Sequence, residues 1–205
     1  SIRRRQRQMC IRDSPWSDRP IQDCLESLEH LPPQLFRIEP HPYASIGAPY
    51  GPDRDPFRLR SGVVRRLLEA QDQLRNHAPE LQFAIFDAWR PISVQAFMVN
   101  YTIDQLCQER GVDRHDPAQQ AALHQVEADV ARFWAAPSRN PETPPPHSTG
   151  AAVDLTLATG TGALLQMGGD IDAIGAVSEP DYYANATDTE AVSYTHLRAH
   201  ETRIH

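Results

Sequence analysis

The chain has 205 residues, of which 40% are hydrophobic and 23% charged, so it is long enough to form one domain with an apolar core. No apolar stretch has the length needed to cross a bilayer, and three cysteines are too few for a disulfide scaffold. The formal net charge is -7 and every basic side chain is arginine, which argues against nucleic acid as the main partner because phosphate binding requires clustered positive charge.

Both ends of the chain differ in composition from the rest. Residues 1–14 (SIRRRQRQMCIRDS) are rich in arginine, and residues 192–205 (VSYTHLRAHETRIH) are rich in histidine. One coding sequence for Met9–Asp13 translates on the opposite DNA strand as Val192–His196, so inverted copies of one element flank the reading frame. The two ends resemble translated sequencing tags, and we exclude them from the fold.

We predict a domain over residues 15–191 whose natural ends are both missing. It is expected in the cytoplasm, with the periplasm as the alternative, and its oligomeric state is left open.

Three elements are predicted in the first half of this domain. A short helix is expected around Ile21–Leu28, within a segment rich in proline. Apolar residues at helical spacing predict a helix over Ser61–Leu74 with Ser61 as its N-cap. The short apolar run Leu81–Phe86 is typical of a buried strand, and Pro91 marks the turn that follows it.

Two further helices are predicted in the second half. The first includes Val94 and Tyr101 and ends at Gly111. The second begins at Asp116, because Asp followed by Pro is a strong start signal. Its apolar face is predicted to comprise Ala122, Val126, Val130 and Phe133. Helices mixed with a few strands indicate an α+β domain.

The segment His147–Leu157 (HSTGAAVDLTL) combines a predicted strand with two candidate metal ligands. Alternation predicts Val153, Leu155 and Leu157 on one face of the strand and Asp154 with Thr156 on the other. A turn at Gly150 can bring the imidazole of His147 and the carboxylate of Asp154 to one side of a sheet, where the pair is suited to zinc. Such a pair alone is a weak indication, since a histidine in a loop is usually a polar surface residue.

The segment Phe86–Pro91 (FDAWRP) supplies a candidate catalytic residue. Arg90 lies just after the predicted buried strand, where a side chain can point into a cleft at the edge of a sheet. A guanidinium in that place can bind a carboxylate or stabilise an oxyanion. The alternative interpretation is a structural ion pair between Arg90 and a nearby acid such as Asp87.

These segments together resemble the zinc D-alanyl-D-alanine dipeptidase family, which includes the vancomycin-resistance dipeptidases. The resemblance runs from about Tyr43 to Tyr183 and rests on FDAWRP, then HSTGAAVDLTL, then MGGDID at Met167–Asp172. It implies the zinc D,D-peptidase fold, which is also described as Hedgehog/D,D-peptidase-like: an α+β domain with a small mixed or antiparallel sheet and flanking helices.

The resemblance also implies one zinc ion per chain and a set of site residues. His147 and Asp154 match the first two zinc ligands, Arg90 matches the arginine that stabilises the transition state, and Asp172 matches an acid near the substrate pocket. The family completes its site with Glu-x-x-His, which supplies the general base and the third ligand, and no such motif follows Asp154 in this sequence. The histidines at 196, 200 and 205 lie in the predicted tag and are not assigned to the metal.

Three functional hypotheses follow. The first is a zinc dipeptidase that hydrolyses free D-Ala-D-Ala, with neither nucleic acid nor a membrane as a partner. This activity is expected of the parent protein, and the present chain is expected to be impaired because it lacks the Glu-x-x-His segment. The second is a zinc D,D- or L,D-carboxypeptidase that acts on longer cell-wall peptides. The third is a non-catalytic peptide-binding domain with the same fold, for which the missing Glu-x-x-His would be the direct argument.

Overall fold

The computed structural model of the protein describes residues 20–52, 55–167 and 169. The predicted tag segments, 1–14 and 192–205, lie outside the described residues, as does Asp172. The strands are β1 (Leu28–His30), β2 (Phe36–Arg37), β3 (Arg58–Arg60), β4 (Leu81–Asp87) and β5 (Asp154–Thr159). The helices are α1 (Pro42–Ser45), α2 (Ser61–His77), α3 (Ile92–Arg110) and α4 (Gln120–Val130), with short 3-10 helices at Pro117–Gln119 and Pro146–Thr149. Among the described helices, none combines the length and apolar character required of a membrane span.

The chain forms an α+β fold, as the sequence predicts, with its strands in two small sheets. The described residues divide into two compact units, one formed by 20–32, 39–66 and 87–153, the other by 33–38, 67–86 and the described residues from 154 onward. In the first unit β1 and β3 pair antiparallel, with Glu29 opposite Leu59. In the second unit the strand order is β2-β4-β5, and β2 runs parallel to β4.

Helices α3 and α4 provide the main apolar core of the first unit. Buried side chains of α3 pack against buried side chains of α4 in one cluster of five: Ile103, Cys107, Leu123, Val126 and Val130. Helix α3 ends as predicted at Gly111, whose φ of 64° is the left-handed conformation that glycine adopts without strain. Asp116 caps the following 3-10 turn by accepting the Ala118 N–H at 2.8 Å, which confirms the predicted start of the second helix.

In the second unit a buried polar side chain joins α2 to β4. Strand β4 becomes fully buried along its second half, which confirms the predicted buried strand. Gln71, on α2, is 1% exposed, and its Oε1 accepts the backbone N–H of Phe83 at 2.8 Å. The Gly160 N–H donates to the carbonyl oxygen of Glu80 at 2.8 Å, which fixes the end of β5 beside the start of β4.

The helix predicted around Ile21–Leu28 is absent. Leu25 has a φ of 60° and is 87% exposed, and its N–H donates to the Asp23 carboxylate at 2.8 Å in a tight turn. Arg60 then holds the segment by donating to the Asp23 carboxylate and to the carbonyl of Glu26. A local turn and an arginine from β3 therefore override the weak helical pattern.

The predicted cap of α2 is also wrong, because the acceptor at the start of the helix is not the Ser61 hydroxyl. Ser61 is the first residue of the helix, and the N–H of Gly62 donates to the Glu26 carboxylate at 2.7 Å. A carboxylate from a distant segment therefore occupies the position expected for the serine hydroxyl, where it also interacts favourably with the helix dipole.

Two predicted faces differ from those observed. On α4 the buried residue of the first turn is Leu123, whereas Ala122 is exposed. On β5 Leu155 is 37% exposed and Thr156 only 9% exposed, the reverse of the predicted alternation. Because Thr156, Leu157 and Ala158 are all buried in succession, this strand is covered on both faces, and a period of two does not describe it.

Candidate metal centre

His147 is held by the segment that follows β4. The residue lies in the 3-10 helix Pro146–Thr149, and its Nδ1 atom is 2.9 Å from the carbonyl oxygen of Ala88. Since a carbonyl only accepts, Nδ1 carries the hydrogen and Nε2 retains the lone pair that a metal requires. The N–H of Arg90 donates to the His147 carbonyl at 3.2 Å, and the Ser148 hydroxyl donates to the Arg90 carbonyl at 2.7 Å. The Ala88 contact orients the imidazole, and the two bonds to Arg90 hold the segment that carries it.

Gly150 ends this 3-10 helix in a conformation that a larger residue would strain. Its φ is 73°, and a Cβ atom there would lie 2.3 Å from Cδ2 of Leu28. Its carbonyl accepts the N–H of Arg60 at 2.8 Å. The turn therefore depends on glycine, and it leads the chain from His147 to Asp154 in seven residues.

Asp154, the first residue of β5, is brought together with His147 as the sequence predicts. Asp87, His147 and Asp154 each offer one potential ligand atom, and these three atoms lie within 4.8 Å of one another. Imidazole nitrogen and carboxylate oxygen are ordinary ligands of zinc, so the donor set of His147 and Asp154 fits this metal.

Asp87 is the third member of the group, and its hydrogen bonds make it a poor ligand. Its Oδ1 accepts from Nε2 of His41 at 3.2 Å and from the hydroxyl of Tyr50 at 3.3 Å. Its Oδ2 accepts from two nitrogens of Arg90, Nε at 3.0 Å and Nη2 at 2.6 Å. A carboxylate offers about four lone-pair sites, which these four hydrogen bonds occupy, and Nδ1 of His147 also lies 3.4 Å from Oδ2. We therefore assign Asp87 to the support of the site and not to the metal.

The donors around Asp87 keep it ionised although it is 0% exposed. Burial by itself raises the pKa of Asp87, but the hydrogen bond from His41 and the charge of Arg90 outweigh burial and hold the pKa below its ordinary value. Burial and the Asp87 charge raise the pKa of Tyr50 well above its ordinary range, so this phenol remains a donor. His41 accepts the Ala44 N–H on Nδ1, so its Nε2 carries the hydrogen that Asp87 accepts.

Arg90 makes the ion pair with Asp87 that the sequence analysis left as an alternative. The residue is 5% exposed, and its Nη1 donates to Oε1 of Gln95 at 2.9 Å. Its guanidinium carbon lies 5.1 Å from the ring centre of Tyr43 and 4.8 Å from that of Trp134, within the range of cation–π attraction. Arg90 is therefore part of the buried framework behind His147, whatever further role it has.

Sequence reasoning missed most of this framework. His41 and Tyr50 lie in a proline-rich segment with no motif that marks them, and only the fold brings them to Asp87. Gln95 did carry a signal, because it is a polar residue on the helix face that buries Val94 and Met98. A polar side chain in such a place predicts a buried hydrogen-bond partner.

Comparisons with known proteins identify the family of the chain. The family model described as D-ala-D-ala dipeptidase matches residues 13–201. A D-alanyl-D-alanine dipeptidase from Synechocystis sp. is 42% identical over 172 residues, which are 82% of this chain and 68% of the relative.

Among solved structures, a Zn(II) complex of a mutant of the D,D-pentapeptidase VanY from a VanB-type vancomycin-resistance cassette is 17% identical, with a TM-score of 0.41. The similarity covers 67% of this chain and 56% of that chain, so the present chain spans little more than half the length of that structure.

The resemblance that the sequence motifs indicate is thus confirmed at the level of the family, which is a family of zinc-dependent hydrolases. The chain belongs to the D-Ala-D-Ala dipeptidase family.

Proposed function

We propose that this protein is a zinc dipeptidase that hydrolyses D-Ala-D-Ala, with His147 and Asp154 as zinc ligands. The observation that carries this proposal is the hydrogen bond of 2.9 Å between Nδ1 of His147 and the Ala88 carbonyl oxygen. It selects the tautomer in which Nε2 binds a metal, and it occurs in a residue grouped with Asp154. A surface histidine without a ligand role needs no such orientation.

When bound, zinc polarises the scissile carbonyl and lowers the pKa of a water molecule that it holds. The residues of this chain prepare the place where that chemistry occurs. Ala88 and Ser148 fix the position of His147, and Asp87 balances the charge of Arg90 inside the protein. In the family such a site cleaves a peptide bond, which is the reaction we propose here.

Arg90 is proposed to stabilise the negative charge that develops on the substrate carbonyl. Its guanidinium is buried and held by Asp87 and Gln95, so its positive charge has one fixed position. Fixed charge in a site that excludes water stabilises a developing oxyanion without reorganisation. The ion pair with Asp87 and this role are compatible, because the ion pair sets where the charge lies.

Asp172 is proposed to contact the substrate. This assignment rests on the resemblance of Met167–Asp172 to the corresponding segment of the family, and the residue lies outside the described part of the chain. A carboxylate near the substrate would bind the ammonium group of a free dipeptide, which a longer wall peptide does not present at the same position.

The test measures zinc content and hydrolysis together. The protein is loaded with zinc, freed of excess metal, and analysed for bound zinc and for release of D-alanine from D-Ala-D-Ala and from a muropeptide. His147→Ala should lose zinc and activity, whereas His124→Ala, which changes an exposed histidine on α4, should retain both. Full zinc content in the His147 variant would contradict the ligand assignment. Preference for the muropeptide would favour the carboxypeptidase hypothesis.

A further inference from the structure

Gln95 makes a pair of hydrogen bonds that fix its own orientation. The residue is 1% exposed, its Oε1 accepts from Nη1 of Arg90 at 2.9 Å, and its Nε2 donates to the carbonyl oxygen of Ala135 at 2.6 Å. Because the Ala135 carbonyl only accepts, the amide nitrogen must face it and the amide oxygen must face Arg90. The side chain therefore presents a fixed acceptor to the guanidinium.

Asp87 alone does not fix the plane of the Arg90 guanidinium. Both nitrogens that reach Asp87 converge on one oxygen, Oδ2, because Oδ1 accepts from His41 and Tyr50. A guanidinium bound to two carboxylate oxygens is held in a fixed fork geometry, whereas one bound to a single oxygen can pivot about it. The bond from Nη1 to Gln95 adds a second hydrogen-bonded point of attachment on a different nitrogen, beside the contacts with the rings of Tyr43 and Trp134. It limits the pivot within the plane of the guanidinium.

We propose that Gln95 is a positioning residue that sets the orientation of Arg90 for the hydrolytic reaction. This inference rests on the proposed function, in which the Arg90 charge faces the developing oxyanion. The side chain acts through Arg90 and does not touch the reacting atoms.

The Gln95 amide is also suited to holding Arg90 because it is neutral. Asp87 already balances the positive charge of Arg90, and a neutral acceptor holds Nη1 without adding a second negative charge beside it. A glutamate at position 95 would leave the group with net negative charge and would set a carboxylate oxygen against the Ala135 carbonyl. Both effects oppose the stabilisation of an oxyanion.

The test compares Gln95→Met with a matched control, Gln71→Met. Gln71 is also 1% exposed and also accepts one N–H through Oε1, but its partner is the backbone of Phe83. Each substitution removes the side-chain hydrogen bonding of a fully buried glutamine while preserving its length, through Oε1 for Gln71 and through both amide atoms for Gln95. Any effect common to both variants reports the general cost of losing a buried amide.

The first measurement is ¹⁵N–¹H NMR of the guanidinium groups in the full chain labelled with [¹⁵N]arginine, with the Arg90 signals assigned by their loss in Arg90→Lys. A held guanidinium gives separate Nη1 and Nη2 signals, and a pivoting one gives averaged signals. We expect separate signals in the unchanged protein and in Gln71→Met, and averaged signals in Gln95→Met. Separate signals in Gln95→Met would overturn the proposal regardless of activity. If Gln95→Met does not fold, Gln95→Leu takes its place.

The second measurement is kcat and KM on D-Ala-D-Ala for the zinc-loaded proteins. Gln95→Met should lower kcat by on the order of 10-fold with little change in KM, and the same substitution in an Arg90→Lys background should have no further effect. An equal loss in both backgrounds, or an unchanged kcat, would overturn the positioning role. Absence of hydrolysis by the unchanged protein would instead contradict the proposed function, and the NMR result would still decide whether Gln95 holds Arg90.

Discussion

The Nδ1 atom of His147 lies 2.9 Å from the carbonyl oxygen of Ala88, the residue that directly follows β4. A backbone carbonyl cannot change its protonation, so this contact selects one tautomer of the imidazole and holds its ring plane. The strand that buries Asp87 thus also orients the histidine, through the next residue of the chain. This relationship makes the histidine a prepared ligand and leads to the first prediction.

Zinc should stabilise the folded protein through His147. Adding zinc in large excess over its dissociation constant to metal-free protein should raise Tm by roughly 5 °C or more, because the metal binds the folded state. His147→Ala should abolish this increase, and His124→Ala should retain it. Differential scanning calorimetry with and without zinc measures the effect. An equal increase in all three proteins would place the metal elsewhere.

Asp87 should be needed for folding more than for metal binding. Asp87→Asn leaves Arg90 buried without its charge partner, and loss of one member of a buried pair costs about 3–5 kcal/mol of unfolding free energy. Asp104→Asn removes the partner of Arg114 at the surface and should cost less than about 1 kcal/mol. Urea denaturation measures both changes.

Zinc content distinguishes a structural role of Asp87 from a role as a metal ligand. At a temperature where Asp87→Asn is folded, it should bind zinc in the same ratio as the unchanged protein, whereas Asp154→Asn should not. Loss of zinc from the folded Asp87 variant would show that the carboxylate is a ligand after all.

Because Arg90 forms a buried ion pair with Asp87, replacing it should affect stability as well as activity. The family resemblance implies a catalytic Arg90, with an ion pair to an acid such as Asp87 as the structural alternative. The structure buries the side chain against Asp87. Arg90→Ala should therefore lower stability by about 3–5 kcal/mol in addition to lowering kcat by on the order of 10²–10³. The double variant Arg90→Ala with Asp87→Asn should recover part of the stability, since no buried charge remains, and none of the activity. Recovery of both would indicate that Arg90 acts in folding alone.

The sequence predicts the parts of this protein that depend on local pattern. The run Leu81–Phe86, the stop at Gly111 and the start at Asp116 all lie where the structure has them, because apolar runs, left-handed glycine and Asp-Pro act within a few residues. The short turn at Gly150 and the family resemblance together predict His147 and Asp154 as a pair, and their role as metal ligands stays a prediction.

The contacts that sequence reasoning missed are those between distant segments. Glu26 caps α2 from 35 or 36 residues away, and His41 reaches Asp87 across 46 residues. Neither distance leaves a periodic signal in the chain. The same limit explains β5, where coverage of both faces removes the alternation that a half-exposed strand would show.

The pair of Asp129 and Arg110 should make stability depend on pH in acid. Burial raises the pKa of Asp129, but the hydrogen bonds from Arg110 and Gln125 and the charges of Arg110 and Arg132 together lower it below its ordinary value in the folded protein. A carboxyl with a lowered folded pKa contributes stability above its unfolded pKa of about 3.9, and this contribution is lost as the pH falls through the folded value.

Asp129→Asn should therefore be less stable than the unchanged protein at neutral pH, by less than about 1 kcal/mol, and the difference should shrink below about pH 4. Urea denaturation at several pH values from acid to neutral measures it. If the stability difference between Asp129→Asn and the unchanged protein grew in acid, the lowered pKa of Asp129 would be contradicted.

The last prediction concerns the turn at Gly150 that joins the two proposed ligands. Gly150→Ala introduces a Cβ at a φ of 73° and 2.3 Å from Cδ2 of Leu28 in β1. Gly111→Ala serves as the control, because its φ of 64° is similar but an added Cβ meets nothing within 4 Å. The control should lose about 1 kcal/mol from the strained backbone alone, and Gly150→Ala should lose about 1–3 kcal/mol more as Leu28 is displaced. A shifted turn also moves His147 relative to Asp154. Zinc affinity should therefore fall for Gly150→Ala and stay constant for Gly111→Ala, as measured by competition with a chromophoric chelator. Equal losses of stability with unchanged zinc affinity would show that the close approach to Leu28 does not hold the turn in place.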